Sequence, residues 1–164
     1  MLKQIEKNPV LRLTMGGVMA ALIFVSTMFL KLPIPMANGY VHLGDGLILL
    51  GSALVGVVNI PAAALGSMLS DLALGYGVYA PVTFVIKGLV ALCAVFALRE
   101  KRLWLRVVWL LLCECVMVAG YFAFEWPMYG LAAAVASLPG NAAQGASAVI
   151  LCAILLPVLR KTIK

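Results

Sequence analysis

Apolar runs near the length of a bilayer-crossing helix follow one another through this chain. The charge between them gathers in three basic clusters: Lys3, Lys7 and Arg12; Arg99, Lys101, Arg102 and Arg106; Arg160, Lys161 and Lys164. A crossing helix needs roughly 20 predominantly apolar residues. With 65% hydrophobic and 11% charged residues in a chain of 164, a water-soluble domain could not hide that much apolar surface. The chain reads as an all-α integral membrane protein, one domain over 1–164. Its six-transmembrane-helix bundle has spans at about 10–30, 41–58, 61–76, 80–98, 103–124 and 140–159.

The net charge of +6 would raise nucleic acid as a partner for a soluble protein. Here the basic residues lie between apolar runs, and such clusters stay on the cytoplasmic side. Nucleic acid is therefore not expected. Both termini and the 99–106 connection are placed in the cytoplasm, with the loops at 31–41, 75–81 and 125–140 outside. The first apolar run has no convincing cleavage site and reads as a retained helix.

Cys93, Cys113, Cys115 and Cys152 all sit in apolar runs with no CxxC pair, and the chain has one histidine. Free thiols are expected, with no metal and no cofactor. GxxxxGK[ST], HExxH and GxSxG are missing, so the chain is not expected to be an enzyme or to hydrolyse ATP itself.

The functional signal lies between His42 and Lys87, where ionisable groups interrupt apolar sequence. Such a group in a bilayer costs roughly 3 kcal/mol or more unless it is paired or hydrated. His42 and Asp45 are expected in the first turn of the second span, on one face. Helix-dipole stabilisation is the plainer account of Asp45, but Gly44 and Gly46 beside it leave room for a ligand. Asp71 shares a face with Ser67 in the third span, and Lys87 lies about two turns into the fourth. At a rise of ~1.5 Å per residue they come ~6 and ~10 Å below the connecting loop, near enough in depth to pair. Glu114, the deepest carboxylate, competes for Lys87. Tyr76 and Tyr79 lie in the connecting loop, and Tyr40 lies in a proline-stiffened loop that could fold down as a lid. Asn141 and Gln144 open the last span, where Asn141 is either a cap or a ligand donor. In the first span, Gly16 with Ala20 and Gly17 with Ala21 make two small-xxx-small pairs. Such faces admit close approach by a helix of this chain or of another protein.

Six short spans, these small-residue pairs, His42-Leu-Gly-Asp45, Ser70-Asp71 and Tyr79-Ala-Pro-Val-Thr-Phe-Val-Ile-Lys-Gly88 resemble the substrate-binding S component of an energy-coupling-factor (ECF) vitamin transporter. The resemblance is to the riboflavin-type subfamily with its hydroxymethylpyrimidine, vitamin B6 and queuosine-precursor candidates, and it covers nearly the whole chain. It implies high-affinity capture of a small vitamin from outside a bacterial cytoplasmic membrane. It also implies release inward by toppling against a transmembrane coupling subunit carrying two cytoplasmic ATPases. The docking face would fall on Gly16, Gly17, Ala20 and Ala21, where glycines partly replace the alanines usual in that motif.

Read from the residues, Tyr40, His42, Asp45, Asp71, Tyr76, Tyr79, Lys87, Glu114, Asn141 and Gln144 fall in the outer halves of their spans or near the midplane. They suit a small flat heterocycle in an apolar pocket. Three acids against one lysine favour a neutral or cationic ligand. Within the subfamily this points to a vitamin B6 or hydroxymethylpyrimidine type, with riboflavin and a queuosine precursor as further candidates. The competing reading is a stand-alone proton-coupled carrier or channel with Asp71, Lys87 and Glu114 as a relay.

Overall fold

The computed structural model describes residues 7–33 and 40–162. Among them run six α-helices: α1 (Pro9–Phe29), α2 (Gly44–Val55), α3 (Asn59–Ala73), α4 (Ala80–Ala97), α5 (Leu103–Tyr129) and α6 (Leu131–Thr162). A short antiparallel ribbon joins α1 to α2, with β1 (Lys31–Pro33) pairing β2 (Tyr40–His42). The predicted lid at 34–39 and the Tyr40 side chain lie outside the described residues.

Helix α1 starts where Asn8 accepts hydrogen bonds from the Val10 and Leu11 amides at 3.0 and 3.2 Å and Pro9 takes the first helical position. Both features satisfy an N-terminus that has spare donors. Between α2 and α3 the chain turns sharply through a 3-10 turn at Gly56–Val58, with Gly56 at φ 62°. Only glycine adopts that left-handed backbone without cost. The Asn59 amide nitrogen reaches the Ile48 carbonyl at 2.8 Å and Ser52 Oγ at 3.1 Å. Eleven residues of straight helix would separate Asn59 from Ile48 by about 16 Å, so the start of α3 returns beside the middle of α2. Asn59 begins α3, two residues before the span expected at 61–76, and Pro61 sits in its first turn.

Cross-links give the helix directions. A Cβ on Gly16 would sit 3.3 Å from Val58 Cγ1, one on Gly66 would sit 2.5 Å from the Ala20 carbonyl oxygen, and Ser70 Oγ donates to the Phe24 carbonyl at 3.3 Å. The order 16, 20, 24 against 58, 66, 70 makes α1 and α3 parallel. Asp45 on Lys87 and Ser52 on Ala91 make α2 and α4 parallel. Thr83 on Tyr121 and Tyr79 on Glu125 set α4 against α5, and Glu125 on Ser137 sets α5 against α6. The six helices therefore alternate in direction.

Two expectations are corrected at the last turn. The sequence reading placed an external loop over 125–140; instead α5 runs to Tyr129, Gly130 turns the chain at φ 86°, and α6 begins at Leu131. Pro139 lies inside α6, because neighbouring helices and side chains can satisfy the backbone groups that a proline frees in a membrane helix. Asn141 is thus in the third turn of α6 and caps nothing.

Among the described residues, five helical stretches are long and apolar enough to cross a membrane, one of them the bent Gly44–Ala73. The bundle is turned inside out relative to a soluble one: Leu13 is 80% exposed and Ile154 64%, while Asp45 and Lys87 are 0% exposed. Helix α2 occupies the centre. Its Ile48 and Leu49 pack with Ile23, Val90, Ala91, Met117 and Ala148 in one continuous core.

Candidate functional site

The site is built on the face of α4 that carries Lys87 and Thr83, with Tyr79 just before the helix, spaced by four. Lys87 Nζ contacts both carboxylate oxygens of Asp45, at 2.7 and 2.8 Å. This corrects the expected pairing with Asp71 or Glu114. The α3–α4 register explains it. A Cβ on Gly88 would lie 3.6 Å from Ala64 Cβ, so Lys87 stands opposite Leu65 and about 9 Å deeper than Asp71. Asp71 is buried, and its backbone carbonyl accepts the Tyr76 amide at 2.8 Å to close the turn.

Gln144 ties the pair to two further elements. Its Nε2 donates to Asp45 Oδ2 at 2.6 Å, and its Oε1 accepts the His42 amide at 3.0 Å. His42 ends β2 and so is not in the first turn of the helix, contrary to expectation. Its Nδ1 accepts the Gly44 amide at 3.0 Å and lies 3.4 Å from Thr27 Oγ1. An Nδ1 that accepts places the proton of the neutral ring on Nε2. Burial pulls the imidazole down to about 4; the Asp45 carboxylate opposes this and the Lys87 charge assists it. A Cβ at Gly44 would collide with Thr27 Oγ1 and His42 Nδ1, so this position has no room for a side chain.

Above this network, at the end away from the basic 99–106 connection, sits an aromatic cluster. Tyr79 stacks on Tyr129 with centroids 5.9 Å apart and meets Phe124 and Tyr76 edge-on at 5.3 and 6.2 Å. The Tyr121 hydroxyl lies 3.0 Å from Thr83 Oγ1, and its ring lies 5.4 Å from Lys87 Nζ, within cation–π range. The Tyr79 hydroxyl donates to Glu125 Oε1 at 3.2 Å, and Ser137 donates to Glu125 Oε2. Burial, then the Glu125 carboxylate, raises the Tyr79 phenol above its ordinary range.

Glu125, Tyr121 and Ser137 were missed from the sequence. The signal was present: Glu114, Tyr121 and Glu125 are spaced by seven and four, which is one helix face. Reading Glu125 as the start of a loop concealed it.

Glu114 stands apart. It is buried between α5 and α6, neither of its oxygens has a hydrogen-bond partner among the described residues, and it lines a cleft of about 460 Å³ with Phe122, Ala142 and Gly145. A Cβ on Gly145 would come 2.8 Å from Glu114 Cβ. Among the described residues no group of His, Cys, Asp and Glu is arranged to hold a metal, and none of the four cysteines forms a disulfide.

The two small-residue pairs of α1 divide. Gly16 and Ala20 face the close approach of α3, whereas Gly17 and Ala21 are exposed and a Cβ on Gly17 would touch nothing within 4 Å. A groove of about 650 Å³ runs along this side, lined by Gly16, Gly17 and Ala20 of α1 and by Pro61, Ala62 and Leu65 of α3.

A polar network locked inside alternating helices, with apolar side chains turned outward, defines a helical membrane protein with a polar interior toward one end. Residues 7–161 match the family described as ECF-type riboflavin transporter, S component. The chain belongs to that family, and so is a transporter component and not an enzyme. An uncharacterized protein from the gap 3′ region of Pyrococcus woesei is 33% identical over 141 residues, covering 85% of this chain and 95% of that protein. The fold is shared with the solved S component of a bacterial ECF transporter. The TM-score is 0.76 at 24% identity, over 93% of this chain and 97% of the other.

Proposed function

We propose that this chain is the substrate-capture subunit of an ATP-driven importer in a bacterial cytoplasmic membrane, binding a small flat heterocyclic vitamin from the outer side. Six crossings fit the alternation of helix directions, with α2 as a short central crossing and both termini on the cytoplasmic side with the basic clusters. The observation that carries the reading is the cluster of the Tyr76, Tyr79, Tyr121 and Tyr129 rings, with Tyr79 stacked on Tyr129, above the Lys87–Asp45–Gln144 network. Aromatic faces take a planar ring, and a few fixed polar groups orient it.

Because Asp45 neutralises Lys87, the cluster offers no free cation to a phosphate ester, while Asp71 and Glu125 stand near it. A neutral or cationic ring follows, of the vitamin B6, hydroxymethylpyrimidine or riboflavin kind. Tyr40, His42, Asp71, Tyr76, Tyr79 and Gln144 are its proposed contacts, with Asp45 and Lys87 organising the floor. Asn141 lies one turn before Gln144 on α6.

Transport would need a transmembrane coupling subunit and two cytoplasmic ATPases. The α1–α3 groove supplies the proposed docking face, with Gly17 and Ala21 toward the partner. A stand-alone proton relay through Asp71, Lys87 and Glu114 is disfavoured by the engagement of Lys87 with Asp45. Reconstitution separates the two functions. Liposomes containing this protein alone should bind vitamin without accumulating it and carry no proton flux. Proton or vitamin flux without partners would refute the capture-subunit reading.

A further inference from the structure

At the basic end of the bundle, α4 and α5 part to leave a cleft of about 610 Å³. Phe96, Ala97, Trp109, Leu112 and Val116 give it apolar walls, and Arg99 and Glu100 are its charged lining residues. The Arg99 guanidinium rests on the Phe96 ring, 4.9 Å from its centroid. Among the described residues it makes no hydrogen bond to protein. Its neighbours are committed elsewhere. Arg106 donates to the carbonyls of Glu100 and Lys101 at 3.0 and 3.3 Å, and the Glu100 carboxylate accepts the Arg102 amide at 2.8 Å. From 99 to 106 the chain carries Arg99, Lys101, Arg102 and Arg106 against Glu100 alone.

We propose that this cleft seats an anionic phospholipid, one acyl chain along its apolar walls and the phosphate on Arg99. An exposed guanidinium with no protein hydrogen bond among the described residues, set over an apolar trough, calls for an anion that carries its own hydrocarbon. Arginine meets phosphate through two parallel N–H donors, and the Phe96 ring lies against the guanidinium. Basic pockets between membrane helices on the cytoplasmic side bind anionic head groups for the same reason. The exposed Trp104 and Trp109 set this end at head-group depth, where indole rings collect. The inference does not depend on which vitamin is carried, because the cleft lies at the opposite end of α4 from Tyr79.

The test is native mass spectrometry of the full chain in mild detergent, titrated with phosphatidylglycerol and with phosphatidylcholine of the same acyl chains. Phosphatidylglycerol should be retained at least tenfold better. Arg99→Gln should cut that retention at least fivefold, and Lys101→Gln, which changes a cation outside the cleft, less than twofold. Leu112→Trp, filling the trough from an exposed position, should also lower phosphatidylglycerol retention with Arg99 intact. Equal retention of the two lipids would overturn the proposal. So would equal losses in Arg99→Gln and Lys101→Gln, or displacement of the lipid by millimolar inorganic phosphate. Vitamin binding should be the same in all three variants, so failure here is separable from failure of the capture reading.

Discussion

The Lys87–Asp45 pair should behave as a structural floor for the site, and a double-mutant cycle exposes that role. Both side chains are 0% exposed, and Nζ lies 2.7 and 2.8 Å from the two carboxylate oxygens. Lys87→Met leaves the Asp45 carboxylate held by the uncharged Gln144 amide; Asp45→Asn leaves the ammonium buried beside an uncharged amide. Breaking a buried pair from one side costs roughly 3–5 kcal/mol, because an uncompensated charge remains, whereas removing both charges is often near neutral. For a chain of this size 1 kcal/mol moves the midpoint by about 2–4 °C. Each single variant should therefore lose roughly 10 °C, and Asp45→Asn/Lys87→Met should recover most of the loss. Thermal unfolding in detergent can be followed with a thiol-reactive dye, since Cys113 and Cys152 are buried and become reactive on opening. Single variants within about 2 °C of the parent, or a double variant as poor as the sum of the singles, would refute the reasoning.

Three further outcomes are expected. Glu114→Gln should leave stability unchanged or raise it, because it removes a buried carboxyl that has no partner for either oxygen; a loss of more than about 5 °C would mean that Glu114 is paired. His42 takes a proton at about 4 in the fold against 6.5 ordinarily, so the unfolded chain binds that proton first as pH falls. Its contribution to stability is intact above 6.5 and lost between 6.5 and about 4, by ~3 kcal/mol at 1.36 kcal/mol per unit; the slope should flatten in His42→Asn, and an unchanged slope would exonerate the imidazole. Ala21→Trp should abolish uptake with the complete transporter while leaving vitamin affinity unchanged; uptake at the parent rate would move docking off the exposed side of α1.

The parts of this fold legible in the sequence were those set by apolar runs and helix breakers acting locally. The start of α1 within a residue or so of its place at Pro9, the α3–α4 turn near Gly75 and the basic connection at 99–106 could all be read. Partner choice could not, because it depends on register between helices. Depths counted from a loop brought Asp71 and Lys87 together, but the Ala64–Gly88 contact offsets them by about 9 Å. Asp45 comes to Lys87 only because α2 is folded into the centre of the bundle, which the positive φ of Gly56 permits. Pro127 and Pro139 both lie inside helices, whereas 125–140 reads as a loop by rules that hold in water; that reading hid Glu125 and put Asn141 at a helix start, where a cap was one account of it. The small residues of α1 were legible as a close-packing face; which pair serves the chain itself required the position of α3.

The central claim is capture of a small heterocyclic vitamin, and its most direct test is mass spectrometry of small molecules released from the protein purified in detergent without added ligand. The account predicts a near-stoichiometric neutral or cationic ring compound, such as a pyridine, a pyrimidine or a flavin, reduced at least tenfold in Tyr79→Ala. A protein that releases none, and that fails to bind any of these vitamins on titration, would contradict it.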